Sequence, residues 1–266
     1  MSTSADTLGG AMPAGVTVFT ETGREGREVQ VATEVPLTIM ANDIEVATLA
    51  CTPADLDELV RGFLFTSGFA RSAADIRALR FDTSRWVAEA SLSVAPDPAL
   101  MTRRLYTAGC GKGVQFPGIV ELSMRTPLAG GFCVAAEHVR SLARWLQGSS
   151  PLHGATGGVH TAALSTAGAL PDRAYDDIGR HNAVDKAIGR GLCEQADFTR
   201  CVLLTTGRVS SEILFKARRA GVPVLVSLGA PTHQAVLLAR QTNLTLVGFA
   251  RGRTFTVYAS PERICP

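Results

Sequence analysis

A cysteine between glycines, Gly109-Cys110-Gly111-Lys112-Gly113, stands near the middle of the chain. Flanking glycines let the backbone approach a ligand closely and keep the loop free to move. The Lys112 ammonium favours thiolate over thiol, and the thiolate is the form that attacks another sulfur. The string is no phosphate-binding P-loop, which needs glycine where Tyr106 stands and serine or threonine where Gly113 stands. Two readings remain open from the residues alone: a sulfur nucleophile, or a turn whose cysteine is incidental.

Four further strings carry polar groups at telling positions. Asp176-Asp177-Ile178-Gly179-Arg180-His181-Asn182 runs into Ala183, Val184, Asp185, Lys186 and Gly189. At helical spacing His181, Asn182, Asp185, Lys186 and Gly189 share one side. That side is either a solvated face with i,i+4 pairs or one end of a ligand site. Arg180, His181 and Asn182 would occupy the first helical turn, where a bound anion offsets cations that oppose the dipole. Thr205-Thr206-Gly207-Arg208 followed by Ser210, Ser211 and Glu212 combines a tight turn, capping serines and a guanidinium placed for phosphate. Ser227 to Thr232, and Phe249-Ala250-Arg251-Gly252-Arg253-Thr254, follow apolar runs. The latter offers two guanidiniums for bidentate phosphate contacts, or else a hairpin turn with exposed arginines. Thr156-Gly157-Gly158-Val159-His160-Thr161 is a glycine-rich approach to a strand, and its lone histidine is a weak signal.

The elements that must hold these groups fall into two patterns. Residues 1–15 lack periodicity and predict a disordered tail. Residues 16–134 read as an α+β region: strands over 16–19, 28–32, 35–40 and 44–51, with Asn42-Asp43 as a hairpin turn. Next comes a helix capped by Thr52 with Pro53 at its first position, then strands near 80–81 and 86–94, then the cysteine loop. After a helix over 135–146, strands and helices alternate: strands at 160–164, 201–205, 222–227, 244–249 and 254–259, with helices at 180–192, 210–220 and 232–241. This rhythm predicts a layered α/β domain over 135–266 with a largely parallel sheet. In such sheets ligands sit beyond the strand ends where strand order reverses, which singles out the loops after Thr205, Ser227 and Phe249.

Composition bounds the rest. The chain has 266 residues, 46% of them hydrophobic, so it can bury a full core in one or two domains. Its apolar runs are too short to span a bilayer, and no basic and apolar leader marks the N-terminal residues, so a cytoplasmic protein is expected. A net charge of +2 argues against nucleic-acid binding. Over residues 151–266 Lys and Arg outnumber Asp and Glu 13 to 8, whereas the first 150 residues hold 13 against 16, so the second half suits an anionic ligand better. The six cysteines contain no C-x-x-C, which disfavours a zinc knuckle. In a reducing compartment a small buried hydrophobe is the ordinary role, which suits Cys51, Cys193 and Cys201 and suits Cys110 poorly.

Taken together, the G-C-G loop, T-G-G-V-H-T, D-D-I-G-R-H-N-A-V-D-K, T-T-G-R-V-S-S-E, S-x-x-A-P-T and the closing V-G-F-A-R-G-R resemble the formate dehydrogenase accessory sulfurtransferase (FdhD) family from about Glu34 to Tyr258. The resemblance implies a cytidine deaminase-like larger domain and a homodimer. It also implies that sulfur is taken from a cysteine desulfurase and delivered to the bis-molybdopterin guanine dinucleotide cofactor of formate dehydrogenase, with GDP as a partial mimic of that client. By position, Cys110 corresponds to the persulfide cysteine and Phe249 to Thr254 to the cofactor-binding stretch. Arg208, His181, Asn182 and Lys186 join that stretch as cofactor contacts by the reasoning above. Many members carry C-x-x-C in the loop, whereas Gly113 stands at the second position here, so the mechanism must run on one loop thiol. Two rivals are a zinc deaminase, for which His160-Thr161-Ala162 lacks the glutamate of H-x-E, and a non-catalytic chaperone that only holds the cofactor.

Overall fold

The structure, a computed structural model, describes residues 10–94 and 126–266, together with two short strands between them. Strands β1 (Ala11–Thr20) and β2 (Gly23–Ala32) form an antiparallel hairpin that joins no other sheet among the described residues. The tail expected to reach residue 15 is therefore too long, because Ala11 to Gly15 pair with Ala32 to Glu28. A ladder needs backbone groups only, and small residues without periodicity supply those as well as valines do.

Strands β3 (Val35–Ala41) and β4 (Ile44–Cys51) are the expected hairpin, and Asn42 and Asp43 take the positive φ of 47° and 64° that its tight turn demands. Helix α1 (Leu56–Thr66) follows, then β5 (Ile76–Asp82) and β6 (Val87–Leu92), giving a four-stranded sheet in the order β4-β3-β6-β5. Leu37, Ile39 and Ala41 alternate inward from β3 against Leu59, Val60, Phe63 and Leu64 of α1. Each such large side chain contributes about 1.5–3 kcal/mol on burial. Thr52 does not cap α1, which begins three residues beyond the predicted start after Asp55 at φ 53°. Thr52 is fully buried and bonded to distant groups, and those bonds displace the local cap.

The short pair β7 (Leu105–Tyr106) and β8 (Val114–Gln115) precedes the second half. There the chain runs β9 (Val134–Ala135), α2 (Ala136–Gly148), α3 (Pro151–Thr156), β10 (His160–Thr166), β11 (Tyr175–Asp177), α4 (Arg180–Cys193), β12 (Cys201–Thr205) and α5 (Ser211–Ala220). It ends with β13 (Val224–Ser227), α6 (His233–Gln241), β14 (Thr245–Arg251), β15 (Thr254–Ala259) and β16 (Ile264–Cys265). Six of these strands form one sheet, β11-β10-β12-β13-β14-β15. Along β12, Cys201 and Leu203 face a core with α4, α5 and α6, while Val202 and Leu204 face a second core with α2. Strands buried on both faces explain the continuous apolar runs. The mixed α/β class stands, but the sheet is not largely parallel: only β12, β13 and β14 run together, flanked by antiparallel β10 and β15. Nor does strand order reverse within that trio. Both crossovers, through α5 and α6, fall on the same face, so their strands add in one direction.

Helix α1 is shared by both halves. A Cβ on Gly62 would lie 1.8 Å from the Asp185 carbonyl oxygen, and one on Gly189 would lie 1.9 Å from that of Glu58. The backbones of α1 and α4 touch there, which only glycine permits. Consequently Asn182, Asp185 and Lys186 on the polar side of α4 are buried at the seam between the two halves.

Candidate functional site

The C-terminal ends of β12, β13 and β14 and the start of β10 meet at one end of the large sheet, where a cleft of about 500 Å³ opens. His153, His160, Thr161, Ile178, Thr206, Leu228 and Arg251 line it with Ser150 and the glycine turn Gly157-Gly158. Thr161 and Thr206 are coupled: the Thr161 N–H donates to Thr206 Oγ1 at 3.0 Å, which leaves the Thr206 hydroxyl proton free to donate. Asp176 braces the wall, accepting from Thr161 Oγ1 and from Ser150 Oγ at 2.7 Å each. Ser150 in turn caps α3, accepting from the His153 N–H at 2.8 Å. His153 Nδ1 lies 2.9 Å from the Val159 carbonyl, which can only accept, so that nitrogen carries the proton. Burial, then the charge of Arg180, lowers the pKa of His160. Two imidazoles, a threonine donor and one guanidinium suit an anionic ligand with a polar ring. Among the described residues the lining holds no cysteine.

Of the stretch Phe249 to Thr254, Arg251 alone reaches this cleft. Its Nε donates to the Leu228 carbonyl at 2.8 Å, tying the end of β14 to the loop after β13. One extra residue on β14 between Gly248 and Arg251 makes a β-bulge, with Phe249 at φ 50° and half exposed. A bulky residue held at positive φ stores strain of the sort found beside functional sites. The side chain of Ala250 is 1% exposed and packs in the core, so it touches no ligand. Arg251 pairs with Thr254 across the turn Gly252-Arg253, where Gly252 takes φ 61° and Arg253 is exposed. The hairpin reading therefore holds for this turn, with Arg251 and Arg253 both exposed.

Arg208 stands exposed in the neighbouring loop after β12. That loop is stitched to the next by Ser227 Oγ donating to the Gly207 carbonyl at 2.7 Å and by the Val209 N–H donating to the Ala230 carbonyl.

The other α4 residues serve differently from the expectation. Lys186 is completely buried: its Nζ lies 2.7 Å from Asp177 Oδ2, donates to the Asp176 carbonyl at 2.8 Å and reaches the Thr52 carbonyl at 3.4 Å. Asn182 donates to the Ala50 carbonyl and to Asp177 Oδ1, both at 2.9 Å. Lys186 has all three of its N–H donors engaged and Asn182 both of its own, because α1 and β4 cover this face. Asp177 also accepts the Gly179 N–H, so an internal carboxylate sits at the helix start where an external anion was expected. Asp185 accepts from Thr66 Oγ1 and from Lys216 Nζ at 2.7 Å. Burial pushes its carboxyl pKa up, and Lys216 and Thr66 offset that. His181 Nε2 stands 3.1 Å from Glu212 Oε2 and 3.4 Å from Ser210 Oγ. This contact is no ion pair, since burial first, then Lys216 and nearby arginines, hold the ring near pKa 2 and hence neutral.

Cys110 lies outside the described residues. The cysteines that are described depart from expectation in two ways. Cys51 and Cys201 are buried as anticipated, but Cys193 is exposed, and Cys133 and Cys265 are joined through their sulfurs. His153 was passed over because α3 was not foreseen, although Ser150-Pro151 is a helix-start signal.

Comparison with known proteins places this arrangement. Residues 32–265 match the FdhD/NarQ family model. The sulfur carrier protein FdhD of Geobacillus kaustophilus is 41% identical over 250 residues, covering 91% of this chain and 94% of the relative. That of Bacillus licheniformis is 39% identical, covering 90% and 91%. A crystal structure from Desulfotalea psychrophila, of a protein assigned as a formate dehydrogenase accessory protein, superposes with a TM-score of 0.79 at 29% identity. It covers 96% of this chain and 99% of its own. A match this continuous, through both sheets and the glycine-rich loops, means that the chain belongs to the FdhD/NarQ family.

Proposed function

We propose that this protein is a sulfur carrier and formate dehydrogenase accessory protein: a sulfurtransferase that takes persulfide sulfur from a cysteine desulfurase onto Cys110 and passes it to the bis-molybdopterin guanine dinucleotide cofactor. The observation that carries the reading is the near full-length correspondence with relatives named as sulfur carriers. In the loading step the Cys110 thiolate attacks the outer sulfur of the donor persulfide. A new sulfur–sulfur bond forms at Cys110, the donor's breaks, and the donor cysteine leaves as thiolate. When bound, the client cofactor is the acceptor of that sulfur.

The chain's own residues hold the client. Arg251 at the cleft and Arg208 and Arg253 on turns at the same sheet end meet the phosphates, and Thr206 with His153 and His160 meets polar edges. The cleft's 500 Å³ accommodates one guanosine diphosphate arm rather than the whole client, consistent with GDP as a partial mimic. We assign residues 135–266 to a cytidine deaminase-like layered domain and residues 16–134 to the smaller domain. The protein works as a cytoplasmic homodimer. Formate dehydrogenase activity in cells carrying Cys110→Ser separates transfer from mere holding. Activity should be lost while GDP binding by the purified variant is kept; retained activity would favour the chaperone.

A further inference from the structure

Cys133 and Cys265 are separated by 132 positions, yet β9 and β16 bring them together, with Ile264 opposite Val134 and Cys265 opposite Ala135. Their Cα atoms are 6.2 Å apart, within the span that a disulfide bridges. Bonds that do not involve sulfur hold both strands. The buried Arg263 donates to the Ala129 carbonyl at 2.9 Å and to Asn243 Oδ1 at 3.3 Å. Asn243 Nδ2 donates to the Leu128 carbonyl, and the Leu128 N–H donates to the Thr242 carbonyl, both at 2.9 Å. Val134 is packed in the core under α2. With the register fixed in this way, the two thiols stay adjacent when reduced.

Access differs between them. Cys133 is exposed and lines a cavity of about 760 Å³, at the sheet end opposite the cleft, together with His138 and Arg200. Cys265 is half-buried behind it. The free cysteines among the described residues, Cys51, Cys193 and Cys201, lack this pairing. Burial pushes the thiols of Cys51 and Cys201 up to about 12 and about 11, and Cys193 has no cysteine beside it.

We propose that Cys133 and Cys265 form a second thiol site, a dithiol that accepts persulfide sulfur on Cys133 and discharges it as sulfide. The proposal rests on the sulfur-carrier reading for its co-reactant, a cysteine-derived persulfide. The Cys133 thiolate attacks the outer sulfur of that persulfide, forming Cys133–S–SH while the donor leaves as thiolate. The Cys265 thiolate then attacks Cys133 Sγ, the Cys133–Cys265 bond forms, and the outer sulfur departs as hydrosulfide. Each cysteine sulfur gives up one electron and the departing sulfur takes both. An external dithiol, itself oxidised to a disulfide, resets the pair.

The test uses the full chain with Cys110→Ser, reduced and freed of reductant, then mixed with glutathione persulfide. Released sulfide and peptide masses are measured. About one equivalent of sulfide per chain should appear, with the Cys133 and Cys265 peptides linked. Adding Cys265→Ser should abolish the sulfide burst and leave one extra sulfur atom on Cys133, and adding Cys133→Ser should abolish both. Equal sulfide from all three proteins, or no linked peptide in the first, would overturn the proposal. Loading of Cys110 by a desulfurase in a Cys133→Ser, Cys265→Ser chain scores the carrier reading separately, so the two can fail independently.

Discussion

His181 turns a buried histidine into a pH sensor of stability. Its pKa falls from 6.5 to about 2 on folding, because burial and the charge of Lys216 disfavour the imidazolium. The unfolded chain therefore binds a proton below pH 6.5 that the folded chain refuses, and stability drops as pH falls. The loss from this one group is about 1.4 kcal/mol per pH unit below its unfolded pKa. Urea denaturation of wild type and His181→Asn at pH 7 and pH 5 isolates it: the wild type should lose about 2 kcal/mol more than the variant. Arg251 tests the binding half. A charge-assisted hydrogen bond contributes about 1.5–3 kcal/mol, so Arg251→Ala should weaken GDP binding by about tenfold or more in calorimetry. Arg208→Ala should weaken it in the same direction. Unchanged affinity in both would remove these loops from the site.

The pairing of α1 with α4 decides whether the two halves act as one unit. Gly62→Ala places a methyl group against the Asp185 backbone, which cannot give way as a flexible side chain would. The cost should be about 3 kcal/mol or more, the upper end for overpacking. Lys186→Met removes one partner of a buried pair and strands Asp177, so a loss of about 3–5 kcal/mol is expected in the same denaturation experiment. A variant as stable as wild type would show that the seam contributes little. Much at this scale was legible in advance. The Asn42-Asp43 turn, the start of α4 at Arg180 and the strands at 201–205 and 254–259 follow from local turn chemistry and apolar runs. What the polar side of α4 meets was not legible, since its partners, the carbonyls of Thr52 and Ala50 and the hydroxyl of Thr66, lie more than a hundred positions away. Helical periodicity says which residues share a side and nothing about what covers it. The union of Cys133 with Cys265 was hidden for the same reason.

At the scale of the molecule, a six-stranded mixed sheet carries the cleft at one end and the Cys133–Cys265 pair at the other, with the small sheet and α1 fastened to α4. Both motif loops expected to meet phosphate, at Arg208 and Arg251, fall at the same end of the parallel trio, after β12 and at the end of β14, with β13 between them. They share that end without any strand-order reversal, because β12, β13 and β14 all point the same way. The central claim, that Cys110 carries sulfur, is tested most directly by mass. The full chain with Cys133→Ser and Cys265→Ser is incubated with a cysteine desulfurase and cysteine, and its intact mass is recorded. A gain of one sulfur atom that maps to Cys110, and vanishes in the additional Cys110→Ala variant, is the expected result. No gain, or an equal gain without Cys110, would contradict it.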